Sequence, residues 1–214
     1  MFLTESDKIK WKSMGCAAAS VAALCLVGIL WLDKPLFLYF RGLDGFVWKI
    51  FGIVGSFWFW TAASLSVFLI SYIIAKVRNR ATALPRAAAF VFCSVLSAGA
   101  AAWILKVLFG RMRPVLWEAL ELAGFYPLRL EWAFNSFPSM HAAASFAGLV
   151  MTGLLFPRAK PLTWTLAILS AASRVCAGAH WPSDVLFGAF IGMAAADLVK
   201  SSFSHLSFFS RRVL

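Results

Sequence analysis

The chain has 214 residues, 62% of them hydrophobic and 14% charged, with a mean hydropathy of +0.82 and a formal charge of +11. A soluble domain carries about 25% charged residues, so a soluble enzyme, a disordered tail and a fibrous protein are all excluded. The apolar residues come in long unbroken runs and do not alternate, which excludes a membrane β-barrel and leaves an all-α polytopic membrane protein.

A bilayer-crossing helix needs about 20 mostly apolar residues. Six segments meet or approach that length: about Met14 to Leu32, Phe57 to Ala75, Ala87 to Leu105, Ala142 to Phe156, Leu162 to Ala177, and Val185 to Val199. The predicted architecture is a bundle of six transmembrane helices, one integral membrane domain over 1–214, with interfacial helices in the outer loops. The first segment is long and lacks a small-residue cleavage pattern, so it is read as a span and not a cleaved signal. The last three are short, and their flanking polar residues extend each helix by a turn among its neighbours. No repeat or low-complexity linker interrupts the chain.

Two stretches do not span. Lys34 to Gly55 mixes charges with aromatics (Phe37, Tyr39, Phe40, Trp48, Lys49) and reads as an outer connection lying in the interface. Val115 to Phe137, with Trp117, Glu118, Tyr126 and Trp132, reads as an interfacial helix or cap. The C-terminal Phe203, Phe208, Phe209, Arg211 and Arg212 suit a short interfacial tail. Cys16, Cys25, Cys93 and Cys176 sit in apolar runs without paired or metal-ligand spacing, as small core residues do.

Basic residues set the orientation. With the N-terminus in the cytoplasm, twelve of the twenty Lys and Arg residues fall inside, among them Arg80, Arg211 and Arg212. The net positive charge is thereby assigned to membrane topology and not to nucleic acid. Asp197, near the cytoplasmic end of the last span, is expected to be interfacial or paired with Lys200, three residues on.

Seven polar residues go beyond ordinary snorkelling. Lys106 and Arg113 close the third span, Ser139 and His141 open the fourth, Arg174 closes the fifth, and His180 and Asp184 open the sixth. In a six-span chain all of these ends face outward, so topology alone collects them on one side. Lys106 and Arg113, seven apart, are expected on one helical face, with Arg111 off it. His180 and Asp184, four apart, share a face if the last helix begins near Trp181. A carboxylate on one imidazole nitrogen fixes the tautomer and makes the other nitrogen a better nucleophile or base. The Pro182 and Pro138 segments both look like helix starts, where free N–H groups favour an anion. Three cations, two histidines and a carboxylate make an anion site with nucleophilic capacity, and phosphate matches guanidinium geometry. A divalent metal on the two histidines and the carboxylate is the competing reading. Three converging cations would repel it.

Three motifs carry a family resemblance. Lys106-Val-Leu-Phe-Gly-Arg-Met-Arg113-Pro114 fits Lys, six residues, Arg-Pro. Pro138-Ser139-Met140-His141 fits Pro-Ser-Gly-His except at one place. Ser173-Arg174, five residues, His180, three residues, Asp184 completes the set. Together these resemble the signature of the type-2 phosphatidic acid phosphatase superfamily of membrane lipid phosphatases. The resemblance implies that His180 is the nucleophile and carries a phosphohistidine, and that Asp184 orients it. It implies that His141 is the general acid and then the base. Lys106, Arg113, Ser139, Met140 and Arg174 would then bind the phosphoryl group, with no metal and no cofactor. Met140 stands where the family has glycine. A side chain now projects there, and positive φ is no longer cheap, which bears on pocket shape and substrate.

The expected activity is hydrolysis of a lipid phosphate or diphosphate at the outer face, periplasmic for a bacterial inner membrane, with both termini cytoplasmic. The partners expected are the lipid substrate and the bilayer. A lipid phosphotransferase using the same phosphohistidine is the first alternative. A non-catalytic lipid-phosphate binding protein is the second, although binding alone does not require a His–Asp pair. A haloperoxidase is disfavoured because those members are soluble. The sequence does not choose among polyprenyl diphosphate, phosphatidylglycerol phosphate, phosphatidic acid and lipid A phosphates, nor does it give the oligomeric state.

Overall fold

Without water to satisfy N–H and C=O groups, an apolar chain in a bilayer closes its hydrogen bonds within helices. The computed structural model describes residues 1–4, 6–43, 45–79 and 82–203. Its helices are α1 (Trp11–Val27), α2 (Asp33–Arg41), α3 (Phe46–Val54), α4 (Phe57–Val77), α5 (Leu84–Phe109), α6 (Pro114–Leu120), α7 (Met140–Leu155), α8 (Lys160–Cys176) and α9 (Pro182–Phe203). A five-residue π segment, Gly28–Leu32, joins α1 to α2 without a break, and short 3-10 turns lie at Trp132–Phe134 and Pro157–Ala159.

Among the described residues four helices are long and apolar enough to cross a membrane: Trp11–Arg41, Phe57–Val77, Leu84–Phe109 and Pro182–Phe203. The chain is an all-helical integral membrane protein on that ground. α7 is apolar but has 16 residues, and α8 has 17. At 1.5 Å per residue α7 is about 24 Å long, short of the roughly 30 Å of a hydrocarbon core. It is enclosed by protein and not by lipid: Ala142 through Met151 are all buried.

The first stretch differs from the sequence reading. The helix does not stop at Leu32 but runs on to Arg41, and the rest of the expected outer connection folds as α3. Apolar side chains of α1 and α4 such as Leu24, Leu26, Leu69 and Ile73 are exposed, as the lipid-facing perimeter of a bundle requires. Arg80 and the tail residues Phe208, Phe209, Arg211 and Arg212 lie outside the described residues.

The centre of the bundle is made of small residues. Val95, Ala98, Ala102, Ala143, Ala144, Ala147, Ile191 and Ala195 form one buried cluster from α5, α7 and α9. Such residues let helix backbones approach closely, which is how helices associate where lipid removes the hydrophobic driving force. α7 and α9 run parallel in near contact. A β-carbon on Gly188 would lie 2.4 Å from the Ser139 carbonyl, and one on Gly192 2.4 Å from that of Ala143. The two helices therefore start at the same end, where Ser139 N donates to Asp184 O at 2.9 Å.

At the opposite end of α9, the pairing expected for Asp197 is not the one formed. Its carboxylate is fully buried and Oδ2 accepts the Phe2 N–H at 2.8 Å, while Lys200 pairs with Asp7 at 3.2 Å. The N-terminal segment bends back on itself, with Leu3 bridged to Ile9. This brings a main-chain donor to Asp197 and an acid to Lys200.

Candidate active site

α5 ends at Gly110, which takes φ +59 and donates to the Lys106 carbonyl. Only glycine adopts this left-handed conformation without steric cost, and here a β-carbon would also lie 1.7 Å from the Tyr126 carbonyl. The helical face expected to join Lys106 and Arg113 therefore does not exist, because the helix has already ended. The two meet by another route. Past Gly110 the chain is extended, with Arg111 bridged to Phe125, and it returns under the 132–136 segment. Lys106 Nζ and Arg113 Nη2 both donate to the Asn135 carbonyl, at 2.5 and 3.1 Å.

The same segment fixes the rest of Arg113. Nε donates to Trp132 O at 2.9 Å and Nη1 to Ala179 O at 2.9 Å, while the guanidinium stacks on the Trp132 ring at 4.4 Å. The 115–137 stretch is thus more than an interfacial cap: its carbonyls hold two of the three cations. Burial pushes Arg113 down to about 10, with Asp184 opposing and Arg174 adding to the shift, so it stays charged at neutral pH.

Ser139 caps α7, its hydroxyl accepting Ala142 N–H at 3.4 Å. Met140 and His141 are the first two residues of that helix. Met140 is not among the residues of positive φ, and its side chain packs with the alanine cluster of the core. The methionine is thus accommodated without backbone strain.

Asp184 lies in the first turn of α9, fully buried. Its Oδ2 accepts Ser136 Oγ–H at 2.5 Å and Trp181 N–H at 2.9 Å, and its Oδ1 accepts Arg111 Nη1 at 2.6 Å. His180 Nδ1 lies 3.6 Å from Oδ2, just beyond hydrogen-bond length. Pairs of this kind commonly tighten in a substrate complex. Burial lowers the His180 pKa well below its ordinary value, Lys106 and Arg113 add to this, and Asp184 opposes it. The resting side chain is neutral imidazole, the form that has a lone pair to donate.

Arg174, in the last turn of α8, is the cation left over. Its Nε is buried and has no hydrogen-bond partner among the described residues. It lines a cavity of about 410 Å³ with His141, Trp48, Lys49, Gly52 and Ser56. α3 forms the wall, and a β-carbon on Gly52 would sit 3.2 Å from Arg174 Nη1. His141 faces the charges of Arg174, Lys106 and Arg113.

The eight residues singled out from sequence are thus brought to one end of the bundle. Met140 alone turns toward the core. Sequence reasoning missed Asp33 and Ser136, read Ser183 only as a possible helix cap, and set Arg111 aside. All four are buried and hydrogen-bonded in the layer around Asp184. Among the described residues no cluster of His, Cys, Asp and Glu has metal-site geometry.

The family model of the PAP2 superfamily matches residues 87–206. A lipid A 1-phosphatase of Rhizobium etli is 38% identical over 104 residues, 49% of this chain and 45% of that protein. A lipid A 1-phosphatase of Porphyromonas gingivalis is 36% identical over 70 residues, 31% of this chain and 16% of that one. The chain thus spans less than half the length of these curated relatives. Among solved structures, that of Aquifex aeolicus LpxE shares the fold with a TM-score of 0.57 at 21% identity, covering 78% of this chain and 94% of the other.

Proposed function

The chain belongs to the PAP2 superfamily, and on that premise we propose that it is a metal-independent lipid phosphatase that works through a phosphohistidine on His180. The observation that carries this is the buried, neutral His180 set against Asp184 beside three cations, one of which, Arg174, has a buried Nε with no hydrogen-bond acceptor among the described residues. A phosphate dianion supplies the acceptors that Arg174 lacks, in bidentate form.

His180 attacks phosphorus with the ring nitrogen that faces away from Asp184. The bond to the leaving oxygen breaks, and His141, protonated once the bound phosphate dianion offsets the charges of Arg174, Lys106 and Arg113, gives its proton to that oxygen. In the second step His141 takes a proton from water, the water oxygen bonds to phosphorus, the P–N bond breaks, and inorganic phosphate leaves. Lys106, Arg113 and Arg174 stabilise charge on the phosphoryl oxygens. His141 and Arg174 line the open cavity, so the lipid alcohol lies along the α3 wall, where the leaving oxygen meets the acid. The relatives named as lipid A 1-phosphatases favour a phosphorylated glycolipid of that class as the substrate. In this proposal α7 and α8 complete six crossings, both termini are cytoplasmic, and the site opens at the outer face of an inner membrane.

The test is phosphate release by purified protein in detergent across a panel of lipid phosphates and diphosphates, with a chelator present. Wild type should release phosphate, and His180→Ala, folded by thermal midpoint, should release none. Undiminished turnover by the folded variant sinks the assignment.

A further inference from the structure

A carboxylate buried within an apolar helix is strongly disfavoured unless it is paired. Asp33 is such a group, 3% exposed, directly after the π segment that joins α1 to α2. π segments are rare and are often found at functional sites. Asp33 Oδ1 accepts Ser183 N–H at 2.9 Å. Its Oδ2 accepts Ser183 Oγ–H at 2.6 Å and Arg111 Nη2 at 2.6 Å. The other arm of the same guanidinium, Nη1, donates to Asp184 Oδ1 at 2.6 Å and to Ser183 Oγ at 2.7 Å. Arg111 is flanked by the Trp181 and Phe125 rings, each centroid 5.4 Å away. Burial disfavours its charge, but Asp184 and Asp33 outweigh that and raise its pKa. The π segment packs closely against the start of α9, since a β-carbon on Gly28 would sit 3.1 Å from Ser183 Cβ.

We propose that Asp33 and Arg111 are positioning residues for the reaction: a buried Asp33–Arg111–Asp184 chain holds the carboxylate that orients His180 and ties the chemistry to the first helix. Neither residue touches the phosphate. They act through Asp184, whose Oδ1 is fixed by Arg111 so that Oδ2 stays aimed at the imidazole. Charge matters as well as position. Two carboxylates sharing one guanidinium leave net negative charge behind His180, which favours the positive charge the ring gains as it attacks. Lysine at 111, a point charge, cannot span both acids as the planar fork does.

The inference rests on the His180 mechanism proposed above. The test compares wild type, His180→Ala, Asp33→Asn, Arg111→Lys and Ser183→Ala as purified proteins, with thermal midpoints as the folding control. Asp33→Asn should lower kcat about 10- to 100-fold with KM within about twofold. Its kcat/KM profile should also move. The acid limb reports His180, which must be neutral to attack, and removing a negative charge makes the ring harder to protonate, so the limb shifts to lower pH. The other charges facing His180 are Asp184, Lys106 and Arg113; His141, Lys34 and Cys25 are the further titratable groups around the site and the Asp33–Arg111 pair. All of them are the same in both proteins. A packing defect alone would leave the limb in place. Arg111→Lys should lower kcat likewise. If Asp33→Asn does not fold, Ser183→Ala, which removes only a bridging hydroxyl, should lower kcat several-fold at unchanged KM. Wild-type kcat and acid limb in folded Asp33→Asn, or wild-type kcat in folded Ser183→Ala where the former does not fold, overturns the proposal. His180→Ala activity reports separately on the mechanism beneath it.

Discussion

Gly188 sits one turn after Asp184 on α9, against the residue that caps α7. Replacing it with alanine places a β-carbon 2.4 Å from Ser139 O and 3.1 Å from Ala142 Cβ. Unstrained contacts of this kind begin near 3.4 Å, so α9 must withdraw from α7 by about 1 Å. Backbone atoms form the obstacle, so no side chain can swing aside. The withdrawal opens the gap between the two helix starts that carry Asp184 and His141, and it stretches the 2.9 Å bond from Ser139 N to Asp184 O. Overpacking of this size costs about 1–3 kcal/mol, or about 2–12 °C in thermal midpoint for a chain of this length. A 1 Å error between reacting groups costs about 100-fold in rate. Phosphate release and thermal unfolding of Gly188→Ala in detergent measure both. Gly15→Ala is the matched control, with nothing within 4 Å of the added carbon; its activity should be unchanged, and its stability equal or higher by up to about 1 kcal/mol. Wild-type turnover and midpoint in Gly188→Ala would refute the claim that helix contact sets the catalytic geometry.

Two further outcomes follow from buried groups. Because His180 is buried neutral with its pKa below the ordinary 6.5, the unfolded chain binds its proton first on acidification. Stability is therefore greatest above about pH 6.5 and falls as pH drops from there toward the folded pKa. Thermal midpoints against pH should show this slope, and His180→Gln should flatten it; an equal slope in the variant would exclude His180 as its source. Asp197→Ala removes the acceptor of the Phe2 N–H and should lower stability by about 1.5–3 kcal/mol without changing turnover. Loss of turnover in the folded variant would contradict a role confined to the far end of α9.

The residues of the site were legible because their types conflict with their surroundings. Lys106, His141, Arg174, His180 and Asp184 lie at the ends of apolar runs, and counting helices places those ends together. Asp33 carries the same conflict, but placing the end of the first helix at Leu32 moved it into solvent on paper. The helix in fact runs on to Arg41. Arg111 was set aside by a phase argument that needed a helix through Gly110. A glycine followed four residues later by Pro114 is itself a stop-and-restart signal, and it outranks periodicity there. The partners of Arg113 were out of reach for a different reason. They are main-chain carbonyls of Trp132, Asn135 and Ala179, and a carbonyl leaves no trace in residue identity. The role of α3 as a cavity wall was equally hidden, since it depends on a close approach of Gly52 to Arg174 between segments more than a hundred residues apart.

α9 carries a carboxylate in its first turn and another thirteen residues later, each locked to a different part of the chain. At 1.5 Å per residue they are about 20 Å apart, and a helix resists stretching between two such anchors. The height of His180 above the N-terminal segment is therefore a fixed length, like the span of a rigid ruler. A bilayer thinner or thicker than that ruler suits is met by tilting the protein or deforming the lipid. In the proposed reaction the reacting groups keep their spacing whatever the membrane, and what changes is how deep a lipid headgroup must sit to reach them. For the proposed phosphatase, bilayer thickness thus acts on substrate access and leaves the bond-making geometry untouched.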